Sequence, residues 1–80
     1  MKPVLGSHLK GKRAVSTTGV DLGEVIDASF SEGGILEFLI VRPEVERPEV
    51  EEFLDMNGFL NIPFSEVKAI GRYVIVGIPK

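Results

Sequence analysis

The chain has no cysteine and one histidine among its 80 residues. Without cysteine no disulfide can brace the fold, and thiol catalysis and thiolate-bound zinc are excluded. No apolar run approaches the ~20 residues needed to cross a bilayer as a helix. Met1–Lys10 also lacks the apolar stretch of a secretory leader. The expectation is a cytoplasmic protein with no direct membrane insertion. The single histidine, His8, follows Ser7 in an N-terminal segment, residues 1–8. Adjacency in sequence does not give a serine and an imidazole the geometry of nucleophile and base. No catalytic residue is expected, and the chain is read as not an enzyme.

Phosphate-binding glycine spacings are missing too. Gly19, Gly23, Gly33 and Gly34 fit neither common fingerprint and are read as turn residues. The acids after residue 43 could offer oxygen ligands to calcium or magnesium, but nothing follows the ligand order of an EF-hand loop. No metal and no cofactor is therefore expected. Asp27, in mid-strand between apolar residues, is read as an outward or rim carboxylate accepting backbone N–H groups from a nearby turn.

What the chain does have is β-branched bulk and unevenly spread charge. Valine and isoleucine supply 17 residues, a bias towards strands. Net charge is −3. Residues 1–13 hold Lys2, Lys10, Lys12 and Arg13 and no acid, whereas 43–55 hold Glu44, Glu46, Glu49, Glu51, Glu52 and Asp55 against Arg47. Lys10, Lys12 and Arg13 are the nucleic-acid candidate, without an aromatic platform for bases. The acidic loop, 42–57, contains a perfect tandem repeat, Arg42-Pro43-Glu44-Val45-Glu46 followed by Arg47-Pro48-Glu49-Val50-Glu51. Two copies do not make a solenoid. Glu44, Glu46, Arg47, Glu49, Glu51 and Glu52 form the candidate partner loop. Pro48 at a first helical position allows one helical turn there.

Alternation predicts strands at Gly11–Ser16, Leu22–Ser31, Ile35–Arg42, Gly58–Pro63 and Tyr73–Ile78. Thr17-Thr18-Gly19 and Glu32-Gly33-Gly34 are turns. Ser65 is read as the N-cap of a short helix, Glu66–Ile70, closed by Gly71. The inner face is assigned to Ile26, Ala28 and Phe30; Leu36, Phe38 and Ile40; Leu60 and Ile62; and Val74, Val76 and Ile78. The fold class is all-β: a small closed or partly open antiparallel barrel of five to six strands, with one short helix near Ser65–Gly71.

Taken in order, several stretches resemble the PRC-barrel family. They are Leu9–Val15, Thr18–Asp27, the apolar strand Leu36–Val41, Ile62–Gly71 and Tyr73–Val76. The resemblance covers nearly all of 9–78, so residues 9–80 are read as one PRC-barrel domain. Stand-alone length and the acidic loop look like the short archaeal members. The resemblance implies a six-stranded barrel used for protein contact and brings no catalytic motif. Relatives include the cytoplasmic domain of the photosynthetic reaction-centre H subunit and the C-terminal domain of the bacterial ribosome maturation factor. Some archaeal members are linked to cell division.

The expected function is a non-catalytic adaptor, homodimeric, in a cell-division or membrane-associated scaffold, recruited to a membrane through its partner. The alternative is a ribosome maturation or RNA-processing assembly factor, meeting nucleic acid only through a ribosomal complex. Leu39, Val41, Phe59 and Ile75 lie on the face opposite the assigned core and form the candidate interface.

Overall fold

In the computed structural model, which describes residues 9–44 and 46–79, the β-branched runs become six strands. These are β1 (Arg13–Ser16), β2 (Asp21–Phe30), β3 (Leu36–Arg42), β4 (Leu60–Pro63), β5 (Val67–Ile70) and β6 (Val74–Val76). Two 3-10 segments, Pro48–Phe53 and Phe64–Glu66, complete the elements. One sheet holds all six strands in the order β4-β3-β2-β1-β6-β5. The pairings are antiparallel except β1 with β6, which is parallel, so the sheet is mixed.

The connection between the two edge strands dictates the barrel. A flat six-stranded sheet would hold its edges about 24 Å apart at ~4.8 Å per strand. Yet β4 and β5 are joined by Phe64–Glu66 alone, and a chain from Pro63 to Val67 reaches at most about 14 Å. The sheet must roll until its edges approach at that corner. No ladder joins β4 to β5, so the barrel is partly open.

Leu9, Val25, Leu39, Val41, Leu60, Ile62, Val74 and Val76 are fully buried inside the roll. The inward assignments of Leu60, Ile62, Val74, Val76 and Ile78 hold. On β2 and β3 the inward assignments hold only in part: Leu36 is buried and Ala28 packs against the core, but Ile26, Phe38 and Ile40 are not core residues and Phe30 is 36% exposed. Val25 pairs with Val41 and Asp27 with Ile40, so Ile26 is an extra residue on β2. Ser29 pairs with Phe38 and Phe30 with Leu36, so Glu37 is an extra residue on β3. Each bulge advances one strand past its partner and reverses the alternation beyond it. Leu36 therefore faces inward together with Leu39 and Val41, while Phe38 and Ile40 face outward. The placement of Leu39 and Val41 on an outer face is corrected: both are core.

The expected helix Glu66–Ile70 is also corrected. Phe64–Glu66 makes a single 3-10 turn, and Val67–Ile70 pairs with β6 as β5. Ser65 caps nothing by its side chain. Five residues are too few to sustain a helix on propensity, and the free edge of β6 offers Val67 and Ile70 backbone partners. The helical turn read at Pro48 is present as the first 3-10 segment and sinks Val50 into the core.

Candidate functional site

The long hairpin β2–β3 separates two surfaces. β2 is ten residues long, about 30 Å at ~3.3 Å per residue. Its start, with Pro43 beyond the end of β3, lies at the acidic loop; its far end is the turn at Ser31–Ile35.

Large apolar side chains gather at the far end. Ser31 closes the turn: its Oγ accepts the Ile35 N–H, and its own N–H donates to the Ile35 carbonyl. Ile35 is 68% exposed and Phe30, beside it, 36%. Phe38 faces outward from β3 opposite Pro63 of β4, and Phe64 follows directly; both phenylalanines are 38% exposed. Only Glu32 and Glu37 bring charge to this stretch.

At the other end the repeat divides its labour. Arg42, in the first copy, pairs with Glu24 across the β2–β3 ladder at 2.8 Å. Glu44 takes both terminal nitrogens of Arg13, at 3.0 and 2.8 Å, and Arg13 also reaches Asp21 at 3.0 Å. In the second copy Arg47 donates to the Asp21 carbonyl, Pro48 opens the 3-10 segment and Val50 is buried. The described residues of the two identical pentads thus take different structures according to what lies beside them. Glu49 and Glu52 border a shallow depression with Phe53, Glu66 and Ile78, and Glu51 is exposed.

Asp55 organises the turn that follows. Its Oδ1 accepts the amides of Asn57 and Phe59 at 2.8 and 3.0 Å, and its Oδ2 accepts the Asn61 side-chain amide at 3.0 Å. The Asn61 bond, then the Phe59 amide, hold this carboxyl below its ordinary value. Hydrogen bonds from Arg13 do the same for Glu44. A carboxyl whose folded pKa is depressed stabilises the fold above its unfolded value, and that contribution is lost as pH falls through the folded value. Urea midpoints are therefore expected to hold down to the ordinary values of 4.5 and 3.8 and to fall below them. Asp55→Asn should flatten that fall, and an unchanged profile would remove Asp55 from the account.

The remaining sequence candidates separate. Phe59 is half-buried and bonded into the Asp55 turn. Ile75 is half-buried on the outer side of β6, between Val15 and Ala69 in register. With Leu39 and Val41 in the core, the four do not form one patch. The cationic group also dissolves. Arg13 is held by Glu44 and Asp21, and the Lys12 ammonium donates to the Gly71 carbonyl. Lys10 is exposed. Two of the three charges that would meet phosphate are spent within the fold. Asp27 is exposed and accepts the backbone N–H of its strand neighbour Ala28, not one from a nearby turn. His8 and the rest of segment 1–8 lie outside the described residues.

Among the described residues, no helix is long and apolar enough to cross a membrane. The chain matches the family model of the PRC-barrel domain over residues 1–80. No curated protein matches it.

Proposed function

Because the chain belongs to the PRC-barrel family, we propose that it is a non-catalytic protein-binding module that forms a homodimer through the hairpin end of its barrel. The observation that carries this reading is the concentration of exposed apolar side chains there: Phe30, Ile35, Phe38 and Phe64. Fully burying such a side chain is worth roughly 1.5–3 kcal/mol. Exposed apolar side chains concentrated at one end of a small barrel are the kind of surface that marks an interface. Their low local charge suits a twofold contact, in which each patch meets its own copy.

An adaptor with a dimerising end leaves the remaining surface for a second partner. The resemblance to short archaeal members supports a cell-division or membrane-associated scaffold as the setting, with the module in the cytoplasm and brought to the membrane by that partner. The ribosome and RNA reading loses support, because Lys12 and Arg13 are engaged within the fold.

Sedimentation equilibrium tests the dimer. The wild-type chain is expected to run as a dimer at micromolar concentration, and Ile35→Ser with Phe38→Ser as a folded monomer. A wild-type monomer at high micromolar concentration would overturn the reading.

A further inference from the structure

Met56-Asn57-Gly58 forms the tip of the turn between the first 3-10 segment and β4, and all three residues are exposed. We propose that Asn57 is a self-modification site: the Gly58 backbone nitrogen attacks its side-chain amide, ammonia leaves, and the Asp55 carboxylate holds the rate down by clamping the turn.

The chain has two asparagines and no glutamine. Asn61 is half-buried in β4, and its amide donates to Asp55 Oδ2 at 3.0 Å and to the Phe59 carbonyl at 3.3 Å. The nitrogen that would attack it belongs to Ile62, which is fully buried and paired opposite Leu39. Asn57 differs on each count. Its side chain forms no hydrogen bond among the described residues. The nitrogen that follows it belongs to Gly58, and even a Cβ there would meet nothing within 4 Å. No side chain therefore shields the line of attack.

The reaction balances as a hydrolysis. The Gly58 nitrogen gives its proton to solvent and bonds to Asn57 Cγ. The Cγ–Nδ2 bond breaks and the amide leaves as ammonia, taking a proton back. The cyclic imide then consumes one water. Opening at Cγ leaves aspartate. Opening at the main-chain carbonyl leaves isoaspartate, in which the backbone runs through the former side chain.

The folded turn opposes the first step. The Gly58 N–H donates to the Asp55 carbonyl at 3.0 Å, so the proton that must leave is held. Asp55 Oδ1 accepts the Asn57 and Phe59 amides at 2.8 and 3.0 Å, and the Asp55 N–H closes the turn on the Phe59 carbonyl at 2.8 Å. Attack requires rotation between Asn57 and Gly58, which bonds on both sides resist. Exposed loop bonds open far more readily than a whole domain unfolds, so the product accumulates in the folded protein as an irreversible record of turn opening. Isoaspartate puts an extra methylene inside the loop that Asp55 and Phe59 close, and the product does not re-form the same turn.

The test is peptide mapping of the full chain aged in warm, mildly alkaline buffer. Cleavage after glutamate gives the peptide Phe53–Glu66, which carries both asparagines. The mass gain of acid over amide is expected at Asn57, as two separable isomers, with Asn61 unchanged. Asp55→Ala removes a charged acceptor and should raise the Asn57 rate about tenfold. Asp55→Asn keeps a neutral acceptor and should fall between. The methyl shifts of Val25 and Val41 report that the barrel stays folded. Wild-type chain in unfolding urea gives the clamp-free rate without any substitution, and it too should exceed the native rate. No gain at Asn57, equal gain at the two asparagines, or a rate that the Asp55 variants and urea leave unchanged would overturn the proposal.

Discussion

Leu39→Ala is expected to cost about 2–5 kcal/mol of folding stability, and Leu39→Lys to leave the chain unfolded. Leu39 has no exposed surface and sits at the middle of β3, opposite Ala28 on β2 and Ile62 on β4. Truncation removes the transfer energy of the lost methyls and leaves a cavity that neighbouring strands fill only in part. A domain of 80 residues with no disulfide stands at the low end of the usual 5–15 kcal/mol. The alanine variant would spend much of that margin, and a buried ammonium would find no counter-charge. The sharp control is Phe38→Ala, one residue away but facing outward. It should cost about 1 kcal/mol or less, as surface substitutions usually do. Urea unfolding of the pair reads the difference directly. Equal losses would contradict the assigned faces of β3.

Gly23→Ala carries the second large effect. Gly23 lies inside β2, yet its φ is +133°. A Cβ there would lie 2.2 Å from the Arg42 carbonyl oxygen and 2.9 Å from its carbon. Those are backbone atoms, so no side chain can swing aside. β3 would have to part from β2 where Arg42 pairs with Glu24. Backbone strain of about 1–3 kcal/mol and overpacking of about 1–3 kcal/mol together predict a loss of about 2–6 kcal/mol. Gly19→Ala separates the two causes. Gly19 has φ +91°, but a Cβ there meets nothing within 4 Å. It should show the strain alone, and thermal or urea unfolding should rank Gly23→Ala well below Gly19→Ala. A Gly23→Ala protein as stable as the wild type would refute the close approach.

These two residues also show where alternation stops being legible. Strand existence could be read because Val, Ile and Phe cluster between glycine turns. The inward faces of β4 and β6 could be read because no bulge interrupts Leu60–Ile62 or Val74–Val76. On β2 and β3 the extra residues Ile26 and Glu37 carry no local signature. Leu36, Phe38 and Ile40 then look like one face when only Leu36 is inside. In sequence Gly23 looks like a turn residue, because Arg42 is 19 positions away and adjacent only after folding. The strand at Val67–Ile70 depends in the same way on β6.

The site was half legible. An apolar excess for so small a barrel is visible in composition, and it is what motivates the proposed surface contact. Which residues of β3 are exposed is not legible, because the bulge at Glu37 exchanges Phe38 for Leu39 and Ile40 for Val41. The acidic loop was visible as a charge run. What could not be seen is that the same loop supplies Glu44 to Arg13, which removes a cation from the surface and fastens β1 to the barrel mouth.

The central claim is that this PRC-barrel binds through its hairpin end. Methyl and aromatic chemical shifts followed over a dilution series locate a self-contact without mutation. Concentration-dependent shifts are predicted at Phe30, Ile35, Phe38 and Phe64, with Val15 and Ile75 unmoved. Shifts at Val15 and Ile75 instead, or none anywhere up to high micromolar concentration, would contradict it.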